Sequence, residues 1–127
     1  MRFGYTILYV ADVTRSLDFY GRAFGLPTKF ADETGSFGEL DTGTTSLAFC
    51  GLELLRSLGK TPATPDPDRP SAEVAFVTDD VPAAVERALA AGARLLQAPE
   101  RMNWGQTTAY VSDPDGFAIE LCTPMGG

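Results

Sequence analysis

Two carboxylates and one missing residue type frame the chemistry open to this chain. Glu120 stands between Ile119 and Leu121 in the run Asp113–Cys122, DPDGFAIELC. Asp-Pro-Asp-Gly is turn chemistry, because each residue favours a turn conformation for its own backbone reason. Phe117, Ile119 and Leu121 then alternate with Ala118, Glu120 and Cys122, which predicts a strand with one apolar face and one face bearing an acid. Glu120 is there either as a solvated side chain on an open sheet face or as an acceptor in a site. Glu73 opens a second alternating stretch, EVAFVT. Histidine is absent, which removes Ser–His and Cys–His nucleophile pairs and the usual neutral-pH proton shuttle. The commonest ligand for zinc, nickel or iron is missing with it. Acid–base work would fall to Glu73 or Glu120, provided burial lifted the pKa of one of them.

Both stretches have echoes. Asp41–Cys50, DTGTTSLAFC, lies 72 positions before Asp113–Cys122 and places Ala48 opposite Glu120. Tyr5–Val13, YTILYVADV, matches Glu73–Val81, EVAFVTDDV, at a spacing of 68 and places Tyr5 opposite Glu73. Two echoes at nearly one spacing indicate an internal duplication of about half the chain.

The 127 residues suffice for one structural domain with its own core. We expect residues 1–60 to form one module, 61–70 (TPATPDPDRP) a mobile Pro-rich linker, and 71–127 a second module. The net charge of −7, with no basic cluster, argues against nucleic acid as a partner. No run is long enough to span a bilayer and no signal pattern opens the chain, so the expected setting is cytoplasmic, away from membranes. Cys50 and Cys122 occupy equivalent places in the repeat; they are either two buried thiols or a facing pair.

The order of elements follows from periodicity. Residues 3–10 alternate as a strand, with Tyr5, Ile7 and Tyr9 on one face. Asp12 starts a helix whose stripe is Val13, Leu17, Tyr20 and Phe24, and Gly25 with Pro27 ends it. Strands follow at 27–31, 37–40 and 46–50, then a brief helical arm at 52–59. The second half repeats the plan: a strand at 73–78, a helix from Asp80 with Val81, Val85, Ala88 and Leu89 buried, a short strand at 94–97, a segment from Trp104 to Val111, and the strand carrying Glu120.

Several short signatures fall on this plan: Val10-Ala11-Asp12, Ser16-Leu17-Asp18-Phe19-Tyr20 and Phe24-Gly25-Leu26 in the first half; Asp79-Asp80-Val81, Ala91-Gly92-Ala93 and Asp113-Pro114-Asp115-Gly116 with Glu120-Leu121 in the second. Together they resemble the glyoxalase / bleomycin resistance / extradiol dioxygenase (vicinal oxygen chelate) superfamily over essentially the whole chain. The resemblance implies an α+β fold of two βαβββ modules with curled mixed sheets around a cleft, within a homodimer. It places the four metal-ligand positions of the metal-using members at Tyr5, Ala48, Glu73 and Glu120. Tyrosine keeps its proton up to about pH 10 when unperturbed, and alanine has no donor. The expectation is therefore no metal and no other cofactor, and a binding protein of the bleomycin-resistance type for a bulky, partly planar aromatic natural product. Its ligand would meet Tyr5, Ile7, Tyr9, Phe37, Glu73, Trp104, Gln106, Ala118 and Glu120; Trp104-Gly105-Gln106 resembles the Trp-Gly segment of antibiotic-binding members. The alternative is a metal-dependent lyase or isomerase of the glyoxalase type, with Glu39 or Glu53 joining Glu73 and Glu120.

Overall fold

The computed structural model describes residues 1–126. It divides into two compact units, Met1–Thr64 and the chain from Pro65 onward. Each is a four-stranded mixed sheet with one main helix.

In the first unit, β1 (Tyr5–Val10) leads into α1 (Val13–Phe24), and β2 (Thr28–Ala31), β3 (Phe37–Leu40) and β4 (Ser46–Gly51) follow, then the short α2 (Leu52–Ser57). The sheet order is β1-β4-β3-β2, with β1 parallel to β4 and the other pairs antiparallel. Asp12 caps α1 by accepting from the amide of Arg15 at 3.0 Å. Gly25 ends the helix in the left-handed region at φ 71°, where a Cβ would be strained. Of the expected stripe, Val13, Leu17 and Tyr20 are buried and Phe24 is half-buried. Tyr20 packs its ring 4.9 Å from that of Phe49, and Phe19 and Phe24 complete an aromatic cluster. Gly38 on β3 allows α1 to lie close, since a Cβ there would sit 2.8 Å from Leu17 Cδ1.

The second unit repeats the plan as β5 (Glu73–Val77), α3 (Val81–Ala90), β6 (Arg94–Arg101), β7 (Thr107–Ser112) and β8 (Ala118–Cys122), in the order β5-β8-β7-β6. Asp80 caps α3 through the amide of Ala83 at 3.1 Å. Val81, Val85 and Ala88 are buried, but Leu89 is exposed, contrary to the expected stripe; at 100° per residue it falls on the stripe's margin. β6 runs four residues beyond the expected Gln97, through Pro99. It is an edge strand with register shifts after Leu95 and Gln97, and proline is tolerated in such a place because no ladder needs its missing N–H. Residues 61–66 carry no regular structure. Pro65 and Pro67 lie against Gly116, where a Cβ would sit 3.1 Å from the Pro65 carbonyl oxygen and the φ of 105° would strain any side chain.

Among the described residues no helix is long and apolar enough to cross a membrane.

Candidate functional site

The register of the sheets shows what the repeat does with its chemistry-bearing positions. In the first unit Ile7 pairs with Ala48 and Tyr5 with Ser46. In the second, Ala75 pairs with Glu120 and Glu73 with Ala118. The offsets are identical, so Tyr5 and Ala48 stand in their sheet as Glu73 and Glu120 stand in theirs. The next strand extends the correspondence: Glu39 flanks Ala48 as Tyr110 flanks Glu120.

Strand alternation puts these residues on the face turned away from the main helix of each unit. In the first unit that face carries Tyr5, 61% exposed, with Ile7 and Tyr9 beside it along β1, while Ala48 is wholly buried in its row. Phe37, half-buried, pairs with Cys50 on the same face. Glu39 is mostly covered, and Lys29 reaches it at 3.5 Å. Glu53 is exposed in the first turn of α2.

In the second unit the corresponding face carries Glu73, Ala118, Glu120 and Tyr110. The Tyr110 hydroxyl donates to Glu120 Oε2 at 2.9 Å. Partial burial and the nearby Glu120 charge push the Glu73 carboxyl above its usual range, offset in part by a hydrogen bond from Tyr110. Burial and the two carboxylates hold the Tyr110 phenol well above its usual range. Burial likewise raises the thiols of Cys50 and, with help from Glu120, Cys122; both are free. The arrangement is a phenol and two acids with no cation among them, suited to accepting protons or hydrogen bonds from a guest. Glu73 is exposed, so water screens much of its perturbation.

The raised Glu73 pKa has a consequence for stability. A folded state that prefers the protonated acid is favoured below the ordinary carboxylate pKa, about 4.3, and loses that contribution as pH climbs through the raised value. Glu73→Gln should therefore melt with wild type in mild acid and slightly above it near neutrality. Thermal melts at the two pH values check this; a lower melting temperature for the variant at neutral pH would contradict it.

Trp104 and Gln106 lie elsewhere. They line a recess of about 680 Å³ at the end of the second sheet where β8 finishes and β7 begins, together with Asp79, Arg101, Thr107 and Thr123. Three strand steps separate Glu120 from Thr123, about 10 Å along the strand. Tryptophan here is no plug of the core: it is 63% exposed. Trp104→Ala should accordingly leave the melting temperature within about 2 °C of wild type, since exposed substitutions are worth about 0.5 kcal/mol or less. A collapse of the fold would show that Trp104 packs structurally.

The sequence placed none of Tyr110, Asp79 and Arg101 in a site, although Asp79 opens one of the signatures. Tyr110 could have been found from the repeat by asking which residue sits across from Glu120; the recess has no local signature.

The sequence model of the Glyoxalase/Bleomycin resistance protein/Dioxygenase superfamily matches residues 2–121. The chain belongs to that superfamily. Among similar proteins is a probable lactoylglutathione lyase of Vibrio parahaemolyticus, 29% identical, with 92% of this chain and 86% of that protein covered. Among solved structures, a glyoxalase-related enzyme from Fulvimarina pelagi superposes with a TM-score of 0.83 at 24% identity, covering 97% of this chain and 88% of that one. A bleomycin-binding protein complexed with bleomycin does so with a TM-score of 0.66 at 23% identity, covering 98% and 99%. At these identities the two structures establish the common fold of the superfamily. Its members include both enzymes and binding proteins, so the donors present in this chain bear on which kind it is.

Those donors do not fit a catalytic transition metal. At the four positions the first unit offers one phenol, at Tyr5, and nothing at Ala48, and the second offers two carboxylates; Glu39, beside Ala48, is paired with Lys29. Among the described residues no three His, Cys, Asp or Glu side chains group as an ion site. Zinc in catalytic sites takes three protein ligands, mainly histidine with a carboxylate or cysteine.

Proposed function

We propose that this superfamily member is a binding protein that sequesters a bulky, partly planar aromatic natural product without transforming it. One observation carries the reading: the ligand position at Ala48 has no donor, and it lies in a sheet face whose edge strand displays Tyr5, Ile7 and Tyr9. Aromatic faces stack on flat ligands for about 1 kcal/mol per well-placed pair beyond burial. The acids of the second unit, Glu73 and Glu120, would accept hydrogen bonds from ligand hydroxyls, amides or ammonium groups. The similarity in fold to a protein crystallised with bleomycin supports the same kind of role. The reading includes a homodimer, for which sedimentation should give twice the chain mass.

The test exposes the purified protein to bleomycin and a panel of planar aromatic natural products and measures retained compounds by native mass spectrometry. Micromolar retention of at least one compound, released unchanged, supports the reading. No retention across the panel counts against it.

A second reading, a metal-dependent lactoylglutathione lyase, is favoured by the name of the Vibrio relative. It requires lactoylglutathione formation that chelators abolish. Its absence after reconstitution with nickel or zinc removes that reading.

A further inference from the structure

Trp104 is the chain's single tryptophan, and its ring is held in place although it faces solvent. The indole N–H donates to Gln106 Oε1 at 2.8 Å, and Gln106 Nε2 donates to the Thr123 carbonyl at 2.8 Å. Two consecutive hydrogen bonds thus tie the ring to the end of β8, so it presents one fixed face and need not be ordered by a ligand. The recess beside it, about 680 Å³, is within the usual size of small-molecule sites, about 300–1,000 Å³.

Arg101 lines the same recess from the end of β6. Arg101 takes no part in the ion pairs Arg22–Asp18, Lys29–Glu39 and Arg94–Asp68. Asp79 lines the recess too, but Arg101 is not in an ion pair with it. Planar, with a rigid fork of donors, the guanidinium matches a carboxylate in two parallel hydrogen bonds. In a chain of net charge −7, this places a cation beside an exposed aromatic face, whereas Glu73 and Glu120 bring two acids to the sheet face.

We infer that the Trp104 recess is a binding site for a planar aromatic carboxylate, its ring against the indole and its carboxylate on Arg101. This goes beyond the proposed function and does not depend on it, because the acidic sheet face selects for the opposite charge.

One tryptophan gives one indole N–H signal in a nitrogen–proton correlation spectrum, so that signal reports the recess alone. Three probes of one shape separate the contributions: 2-naphthoate, neutral 2-naphthamide and cationic 2-naphthylmethylammonium. The expected result is that 2-naphthoate shifts the indole signal and binds about 5-fold tighter than the amide, the range of a partly exposed charge pair. The ammonium should bind weakest. Arg101→Gln should erase the preference, Arg101→Lys should restore part of it, and Glu120→Gln should leave it unchanged. The inference is overturned if millimolar 2-naphthoate leaves the indole signal in place, if the three probes bind equally, or if the preference survives in Arg101→Gln. A loss of 2-naphthoate binding in Glu120→Gln would instead assign the ligand to the sheet face, and would overturn it too.

Discussion

Replacing Asp113 by alanine is expected to lower the unfolding free energy by about 2–4 kcal/mol, from the lost charged hydrogen bonds and the partly buried donors left behind. Asp113 is buried. Its Oδ1 accepts from the amides of Asp115 at 3.0 Å, Gly116 at 2.9 Å and Phe117 at 2.9 Å. One oxygen thus gathers the donors of the whole turn, and the backbone closes the same turn through the Asp113 amide and the Phe117 carbonyl. Alanine strands the partly buried N–H groups of Asp115 and Phe117, while the Gly116 N–H keeps the Asp113 carbonyl at 3.1 Å. Asparagine retains an acceptor oxygen without the charge, so Asp113→Asn should lose about half as much, charged acceptors being worth roughly twice neutral ones. Urea unfolding of the two variants measures the difference. Equal losses in both would mean that the side chain fills space and does not organise the turn. The turn also launches β8, so the position of Glu120 depends on it.

Gly38→Val is expected to cost about 1–3 kcal/mol through overpacking. The site has no backbone strain, because Gly38 is not among the positive-φ glycines; the obstacle is α1. The added Cβ would lie 2.8 Å from Leu17 Cδ1 and 3.0 Å from Val13 Cγ1, and both of those side chains are buried and cannot swing into solvent. Alanine should cost less, since Leu17 can give at its end. Truncating Leu17 in the Gly38→Val background should recover part of the loss, a coupling that a double-mutant cycle reads directly. Purely additive losses would show that the helix does not press on this glycine.

Much of the fold was legible because it is written in short-range patterns. Asp12 and Gly25 bracket α1 by capping chemistry, and the Val13–Phe24 spacing gives the face that packs on Phe49. The duplication gave more than a fold: it predicted that Tyr5 and Ala48 correspond to Glu73 and Glu120, and the strand register has these pairs at the same offsets. The remaining features lie in contacts between strands distant in sequence. The Tyr110 hydroxyl meets Glu120 only because β7 pairs antiparallel to β8 in one register, which no local pattern states. Arg101 belongs to the recess because β6 continues through Pro99, a residue that reads locally as a strand stop. Trp104 and Glu120 were expected in one ligand site, yet along the second sheet they fall at different places, one at its end and one within it. Leu89 fell at the margin of its helical stripe, where packing and not periodicity decides burial.

The central claim is that Tyr5, Ala48, Glu73 and Glu120 do not constitute a transition-metal site. Protein incubated with excess nickel and, separately, zinc, then desalted and assayed for metal by mass spectrometry, tests it most directly. The account predicts far less than one ion per chain in both cases. One retained ion per chain, lost on Glu120→Ala, would contradict it.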